Sequence, residues 1–110
     1  MSKTFDQVLE LVIQGDVLIS VHGYDELAED VISAIDVMQG ISDAIIVENY
    51  PTYHKGACVL VLQKDSQDEP IHVLWGIPKG KTSPAVVITA YRPDPSRWMR
   101  NYIIRREYHE

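Results

Sequence analysis

A chain of 110 residues, 45% of them apolar, is long enough for one domain with its own core, so we expect a single domain over residues 1–110. No apolar run approaches the roughly 20 residues of a membrane span, and the N-terminus lacks the apolar stretch of a signal peptide. The single cysteine, Cys58, cannot form an internal disulfide, so a cytoplasmic location without membrane contact is expected.

The first 40 residues show mainly helical periodicity. Apolar residues recur at helical spacing over Thr4–Gln14, where Thr4 can cap the helix. The alternating stretch Asp16–Val21 is either a short edge strand or an extended link. Two more helices are predicted, an acidic one over His22–Asp30 and another over Ile32–Gln39, which is followed by a glycine.

The rest of the chain indicates strands followed by one helix. Short runs rich in Val, Ile, Leu and aromatic residues predict four strands, Ala44–Glu48, Ala57–Gln63, Ile71–Ile77 and Ala85–Tyr91. Their connections are too short for crossover helices, so the strands should be antiparallel neighbours. Proline at a first helical position predicts a helix over Pro95–Arg105. The expected α+β fold therefore has N-terminal helices packed on a four-stranded antiparallel β-meander, with a C-terminal helix.

The predicted strands are apolar on both sides. In Ala57–Gln63 and in Ala85–Tyr91, both alternating sets of side chains are largely apolar. An antiparallel sheet with one wet face would instead alternate apolar with polar residues. We therefore expect cover on both faces, supplied on one of them by the C-terminal helix or by a second subunit, and we predict a possible homodimer.

Positive charge is concentrated in two loops. Residues 1–48 have a charge balance of −9 and residues 49–110 one of +3. In a four-stranded meander the first and third connections meet at the same end, which brings His54-Lys55-Gly56 beside Pro78-Lys79-Gly80-Lys81. The candidate anion- or RNA-binding residues are His54, Lys55, Lys79 and Lys81, with Tyr53 available for base stacking. The alternative is that these lysines and glycines serve solubility and turn geometry.

The metal-ligating residue types form no complete site. His22, Asp25 and Glu26 stand at helical spacing, which gives half of a metal site, whereas a site normally needs three or four ligands. We therefore expect no metal and no cofactor. His72 alternates with an apolar residue along its strand and is predicted to be structural, and Cys58 is predicted to be a buried thiol.

Three short motifs stand in order along the chain. Ser20-Val21-His22-Gly23-Tyr24 places a histidine at a helix start, Ile32-Ser33 opens the next helix, and Val87-Ile88-Thr89-Ala90-Tyr91-Arg92 ends the last strand. Over about residues 17–92 this pattern resembles the DUF4258 family, small bacterial domains of unassigned function that are similar in pattern to BrnT and RelE-like toxin ribonucleases. The resemblance implies helices packed on an antiparallel sheet, with His22 and Arg92 as catalytic residues of an RNA-cleaving toxin.

Two functions follow from these observations. One is a non-catalytic binding or interaction domain with a toxin-like fold, whose partner could be RNA or an antitoxin-like protein. The alternative is a metal-independent endoribonuclease of a toxin-antitoxin system, in which His22 transfers a proton while Arg92 and Lys79 or Lys81 stabilise the phosphate. The family often has an arginine four residues after the histidine, where this chain has Glu26, and this difference favours the binding domain.

Overall fold

The computed structural model of the chain describes residues 2–99 and 101–106. It contains three α-helices, a 3-10 turn and five strands. The helices are α1 (Lys3–Ile13), α2 (Val21–Glu29) and α3 (Ala34–Gly40), and the 3-10 turn is Ile41–Asp43. The strands are β1 (Val17–Ile19), β2 (Ile45–Tyr50), β3 (Cys58–Lys64), β4 (Pro70–Gly76) and β5 (Ala85–Tyr91). The α+β class and all the elements predicted up to Tyr91 are therefore present, with shifts of a few residues at their ends.

The sheet has five strands in the order β1-β5-β4-β3-β2. Strands β2 to β5 are consecutive antiparallel neighbours, whereas β1 pairs in parallel with β5, from Val17 opposite Ala85 to Ile19 opposite Val87. The prediction of a four-stranded, purely antiparallel sheet was therefore wrong. The stretch that the sequence left open between strand and link is an edge strand, because its alternation places Val17 and Ile19 against the core.

Serine side chains fix the starts of α1 and α2. Ser2 Oγ accepts a hydrogen bond from the Phe5 amide at 3.0 Å, so Ser2 rather than Thr4 caps α1. Ser20 Oγ likewise accepts from the Gly23 amide at 2.9 Å and donates to the Ile88 carbonyl at 3.0 Å. The Ser20 side chain therefore both caps α2 and attaches its start to β5.

The helices cover one face of the sheet, here called the inner face. Its side chains include the fully buried Val61, Val73, Trp75 and Val87. Gln63 is buried among them, and it accepts from the Trp75 indole at 2.9 Å and donates to the Val37 carbonyl at 2.8 Å. These two bonds satisfy the polar atoms of Gln63 inside an apolar core.

The last described part of the chain, residues 92–99 and 101–106, contains no helix, so the predicted C-terminal helix was wrong. A turn at Asp94 is followed by a bridge between Trp98 and Arg105, and the Met99 amide donates to the Ile104 carbonyl at 2.9 Å. The segment instead packs on the opposite face of the sheet, the outer face, where Trp98 is buried. Tertiary contacts with that face have overridden the helical spacing of the apolar residues.

Part of the outer face remains exposed beside β1 and β5. Leu18, opposite Val86 in the β1–β5 register, is 60% exposed. The pairing of β4 with β5 shifts between Leu74 and Trp75, which leaves Ile88 as the extra residue of a β-bulge.

Within the described residues, no helix is long and apolar enough to cross a membrane.

Candidate binding site at the basic loops

Two loops meet at one end of the sheet. Residues 51–57 connect β2 to β3, and residues 77–84 connect β4 to β5. The Lys79 amide donates to the Lys55 carbonyl at 3.2 Å, and the Ile77 amide donates to the Ala57 carbonyl at 3.0 Å. We call these loops the basic loops, and their backbones are in direct hydrogen-bonded contact, as the meander connections predicted.

Glycine makes this close approach possible. Gly56 has a φ of +126°, and a Cβ atom at this position would lie 2.2 Å from the Ile77 carbonyl oxygen. A side chain here would be both strained and in collision with backbone. In the sequence, Gly56 is visible only as a glycine directly after a lysine in a loop. In the fold, it allows the two basic loops to come into contact.

A cavity of about 380 Å³ lies between the basic loops, and we call it the polar cavity because lysine, histidine and hydroxyl groups are among its lining. Its chemistry is basic, aromatic and hydroxyl-bearing, and its lining includes Tyr53, His54, Lys79 and Lys81. The rings of Tyr53 and His54 lie 4.5 Å apart, and Tyr53 is 47% exposed. The structure thus brings these four predicted residues to one cavity, with Lys55 in the same loop.

An apolar cavity of about 370 Å³ adjoins the polar one on the outer face. The two share a wall made by Tyr53, Gly56 and Pro78 together with their neighbours. The apolar cavity is otherwise lined mainly by small and aliphatic residues, with Lys55 as its charged member. In the described part of the chain, neither cavity has an aspartate or glutamate in its lining, although the chain as a whole is acidic.

The lysines of the basic loops have no carboxylate partner within the part of the chain that the structure describes. The ion pairs found there have Lys64, Arg92 and Arg105 as their cations, and His22 lies beside Glu26. Lys55, Lys79 and Lys81 are exposed and take part in none of these pairs. Their charge is therefore directed to solvent and is available to an anion.

His22 and Arg92 stand apart from each other. His22 lies at the start of α2, with a side chain that is 66% exposed and an Nε2 atom 3.5 Å from Glu26 Oε1. Arg92 lies beyond the other end of α2, where its amide donates to Asp30 Oδ2 at 2.7 Å. Eight residues of helix between His22 and Asp30 correspond to about 12 Å.

Arg92 is also held by a carboxylate. Its Nη1 lies 2.9 Å from Asp65 Oδ2, so the two side chains form an ion pair. Amides of the same loop also donate to Asp65, and hydrogen bonding from Glu69 is the main cause that lowers the pKa of this carboxyl. The Arg92 guanidinium therefore contacts the acidic loop between β3 and β4, at the end of the sheet opposite the basic loops.

The length of β5 separates Arg92 from the basic loops. Seven residues of strand span about 23 Å, with Ala85 beside the basic loops and Tyr91 beside Arg92. His22, Arg92 and the lysines are therefore not assembled into one cleft. Their catalytic and anion-binding functions stay predictions, but a joint site of Arg92 with Lys79 or Lys81 would need a ligand as long as the strand.

His72 lies in a buried cluster of aromatic side chains on the outer face. His72 is fully buried, its Nε2 donates to the Tyr102 carbonyl at 2.7 Å, and its Nδ1 accepts from the Tyr91 hydroxyl at 3.2 Å. We assign this tautomer because a carbonyl can only accept. The Trp98 ring meets the imidazole edge-on at 4.4 Å. His72 is therefore a structural residue, which its place in an apolar strand indicated.

Two further sets of reactive groups lie elsewhere in the described part of the chain. Cys58 is buried, and burial raises the pKa of its thiol. A cleft of about 560 Å³ at the Asp65 end of the sheet contains several carboxylates, including those of Asp36 and Asp43. Among residues 2–99 and 101–106, no three or more His, Cys, Asp or Glu side chains are grouped so that they could hold a metal ion.

Residues 19–92 match the sequence model of a family described as "Domain of unknown function (DUF4258)". The matched range extends from β1 to the residue after β5, so it includes His22, Arg92 and both basic loops, whereas α1 and the C-terminal segment lie outside it. No curated protein and no solved structure gives a significant match. The similarity to BrnT and RelE-like toxins therefore stays a prediction from the sequence pattern.

Proposed function

The chain belongs to the DUF4258 family, whose function is unassigned, and we propose that it is a non-catalytic binding domain that takes an anionic partner at its basic loops. The observation that carries this proposal is the convergence of Lys55, Lys79 and Lys81 at one end of an acidic protein, around cavities whose described lining has no carboxylate. Positive potential focused in a concave, hydrogen-bonded site attracts an anion more strongly than dispersed surface charge does.

The arrangement of the predicted catalytic residues supports binding over catalysis. A general acid or base must lie within hydrogen-bonding reach of the reacting group, and a phosphate-stabilising cation must be close to it as well. His22 is exposed beside Glu26, while Arg92 is held by Asp65 about a helix length away. These residues can perform the toxin-like reaction only if a substrate or a second subunit completes the site.

The alternative function is a metal-independent endoribonuclease with a toxin-like fold. It is supported by the resemblance of the sequence pattern and by the exposed imidazole of His22 at a helix start. It is tested by incubating the purified protein with total cellular RNA in the presence of EDTA. The binding-domain proposal expects the RNA to stay intact, and it expects expression of the protein to leave cell growth unchanged.

The binding proposal is tested by titrating the ¹⁵N-labelled protein with a short polyglutamate and with a single-stranded oligouridine. At least one of these anions should shift the amide signals of residues 51–57 and 77–84. The variant K55E/K79E/K81E should lose these shifts at low salt, because three charges are reversed where the anion binds.

Lys64→Glu is the matched control, because Lys64 lies at the opposite end of the sheet, where it pairs with Asp68 at 3.4 Å. This variant reverses a lysine charge but should retain the shifts. If neither anion binds, or if the triple variant binds as well as the wild type, the basic loops are not a binding site and the proposal fails.

A further inference from the structure

An apolar strip on the outer face leads directly to the basic loops. Val86 and Ile88 are partly exposed on this face, and the neighbouring Leu18 is 60% exposed. The described part of the C-terminal segment bonds to another part of this face, at His72 and Glu48. An exposed aliphatic strip adjoining a charged cavity is typical of an interaction site.

The backbone shapes this strip into a groove. The bulge in β5 adds Ile88 to the outer face, where its Cδ1 atom would lie 2.6 Å from a Cβ placed on Gly76. The missing side chain of Gly76 thus leaves room for Ile88 to lie across β4. Val86, Ile88, Gly76 and Ala57 line the apolar cavity of about 370 Å³, which ends at Tyr53 and Lys55.

The charge around the groove is of one sign. Lys55 lines the apolar cavity, while Lys79 and Lys81 line the polar cavity that continues from it past the shared wall at Gly56. Among residues 2–99 and 101–106, no aspartate or glutamate lines either cavity. A ligand that fills both cavities would need an apolar group followed by negative charge.

We propose that this groove binds an acidic segment of another polypeptide, with an aliphatic side chain against Val86 and Ile88 and carboxylates at Lys55, Lys79 and Lys81. This inference rests on the proposed function and names the class of partner. The apolar groove favours a polypeptide over a nucleic acid, because bases stack on aromatic rings, and among the described residues that line the apolar cavity only Tyr53 has such a ring. The net charge of −6 also opposes a densely charged phosphate chain.

The inference is tested by selecting a displayed library of random heptapeptides against the full chain. Selected peptides should be enriched in Asp and Glu close to Leu, Ile or Val. A synthetic peptide of the selected sequence should bind about tenfold or more weaker to Ile88→Ser, because an aliphatic contact is lost. The same peptide should bind about fivefold or more weaker to Lys79→Glu, and this second loss should diminish at high salt.

Ile45→Ser is the matched control, because Ile45 is 50% exposed on β2 and pairs with Leu62 away from the groove. It should leave the affinity for the peptide unchanged. Circular dichroism checks that each variant is folded. If Ile88→Ser is unfolded, Val86→Ser replaces it, since Val86 lines the same cavity and its side chain is partly exposed.

The outcomes separate this inference from the proposed function. Selected peptides that are acidic but lack an aliphatic residue would overturn the apolar anchor and leave the anion site intact. Binding of oligouridine without binding of any peptide would likewise overturn the inference of a polypeptide partner and leave the anion site intact. Self-association of the chain that Val86→Ser abolishes, seen by light scattering, would show that a second copy occupies the groove and would overturn the inference. Failure of every anionic probe would remove both proposals.

Discussion

The guanidinium of Arg105 donates to both carboxylate oxygens of Glu48, with Nε 3.0 Å from Oε2 and Nη2 2.8 Å from Oε1. Glu48 lies on β2, and it also accepts from the Tyr50 hydroxyl at 2.6 Å. The same guanidinium lies 4.7 Å above the Trp98 ring. Arg105 therefore fastens the C-terminal segment to an outer strand of the sheet through one bidentate ion pair and one aromatic contact.

Arg105→Ala should lower the free energy of unfolding by only about 0.5–1 kcal/mol at neutral pH, because the Arg105 side chain is 59% exposed and solvent screens its ion pair. The Arg105 side chain is the largest cause that lowers the pKa of Glu48 from its usual 4.5. The contribution of the pair is therefore present above pH 4.5 and is lost as the pH falls through the lowered value. Denaturant unfolding should show a smaller effect of Arg105→Ala at pH 3 than at pH 7, and equal effects would contradict this account.

Trp98→Ala should lower the free energy of unfolding by about 3–5 kcal/mol, the usual cost of truncating a buried aromatic side chain. Trp98 is 3% exposed and packs edge-on against His72. The neighbouring Met99 is 45% exposed, so Met99→Ala should cost less than about 1 kcal/mol. Urea unfolding of both variants makes the comparison. A loss below about 1 kcal/mol for Trp98→Ala would show that the C-terminal segment is peripheral to the fold.

Stability should decrease as the pH falls below neutrality because of His72. Burial is the main cause that lowers the pKa of this imidazole from its usual 6.5, although the hydrogen bond to the Tyr102 carbonyl opposes the shift. The unfolded chain then binds the proton more tightly than the folded one. The contribution of neutral His72 to the free energy of unfolding is therefore fully present above about pH 6.5 and declines below it. Thermal unfolding between pH 7.5 and 5 measures this decline. His72→Gln should flatten it, whereas the same change at the exposed His54 should not.

Gly56→Ala should be the most damaging glycine substitution in the basic loops. Its φ of +126° is unfavourable for alanine, and the added Cβ would lie 2.2 Å from the Ile77 carbonyl oxygen. Gly80 has a φ of +76° with nothing within 4 Å, so Gly80→Ala should cost only the strain of about 1–2 kcal/mol. Melting temperatures and the amide spectra of residues 77–84 check both variants. Equal losses would mean that contact between the loops does not depend on Gly56.

His22→Ala should leave both the melting temperature and the binding of anions nearly unchanged. The His22 side chain is 66% exposed, and its contact with Glu26, at 3.5 Å, is a surface pair. If the protein were a ribonuclease that uses this imidazole, the folded variant would instead lose RNA cleavage by about 10²–10⁴-fold. Cleavage of RNA by the wild type that His22→Ala removes would therefore favour the toxin-like function over the binding domain.

The predictable part of the fold depends on local signals. Helical spacing and the glycine that ends a helix are signals within a few neighbouring residues, so they identified α1 and α2 with end errors of about one residue, although the predicted cap Thr4 was wrong and the caps are Ser2 and Ser20. Short connections between apolar runs likewise imposed the antiparallel neighbours β2 to β5 and brought the basic loops together. These features depend on chain geometry over short distances, and the sequence determines them by itself.

Other features depend on contacts between distant parts of the chain. The apolar residues around Trp98 have helical spacing, yet Trp98 and the Tyr102 carbonyl contact His72, about 30 residues earlier, and no helix forms in the described segment. The parallel pairing of β1 with β5 joins residues nearly 70 positions apart. Pairs of residues this far apart cannot be predicted from the pattern of neighbouring residues. For the same reason, only the tertiary structure decided that α2 separates His22 from Arg92 and that β5 separates Arg92 from the lysines.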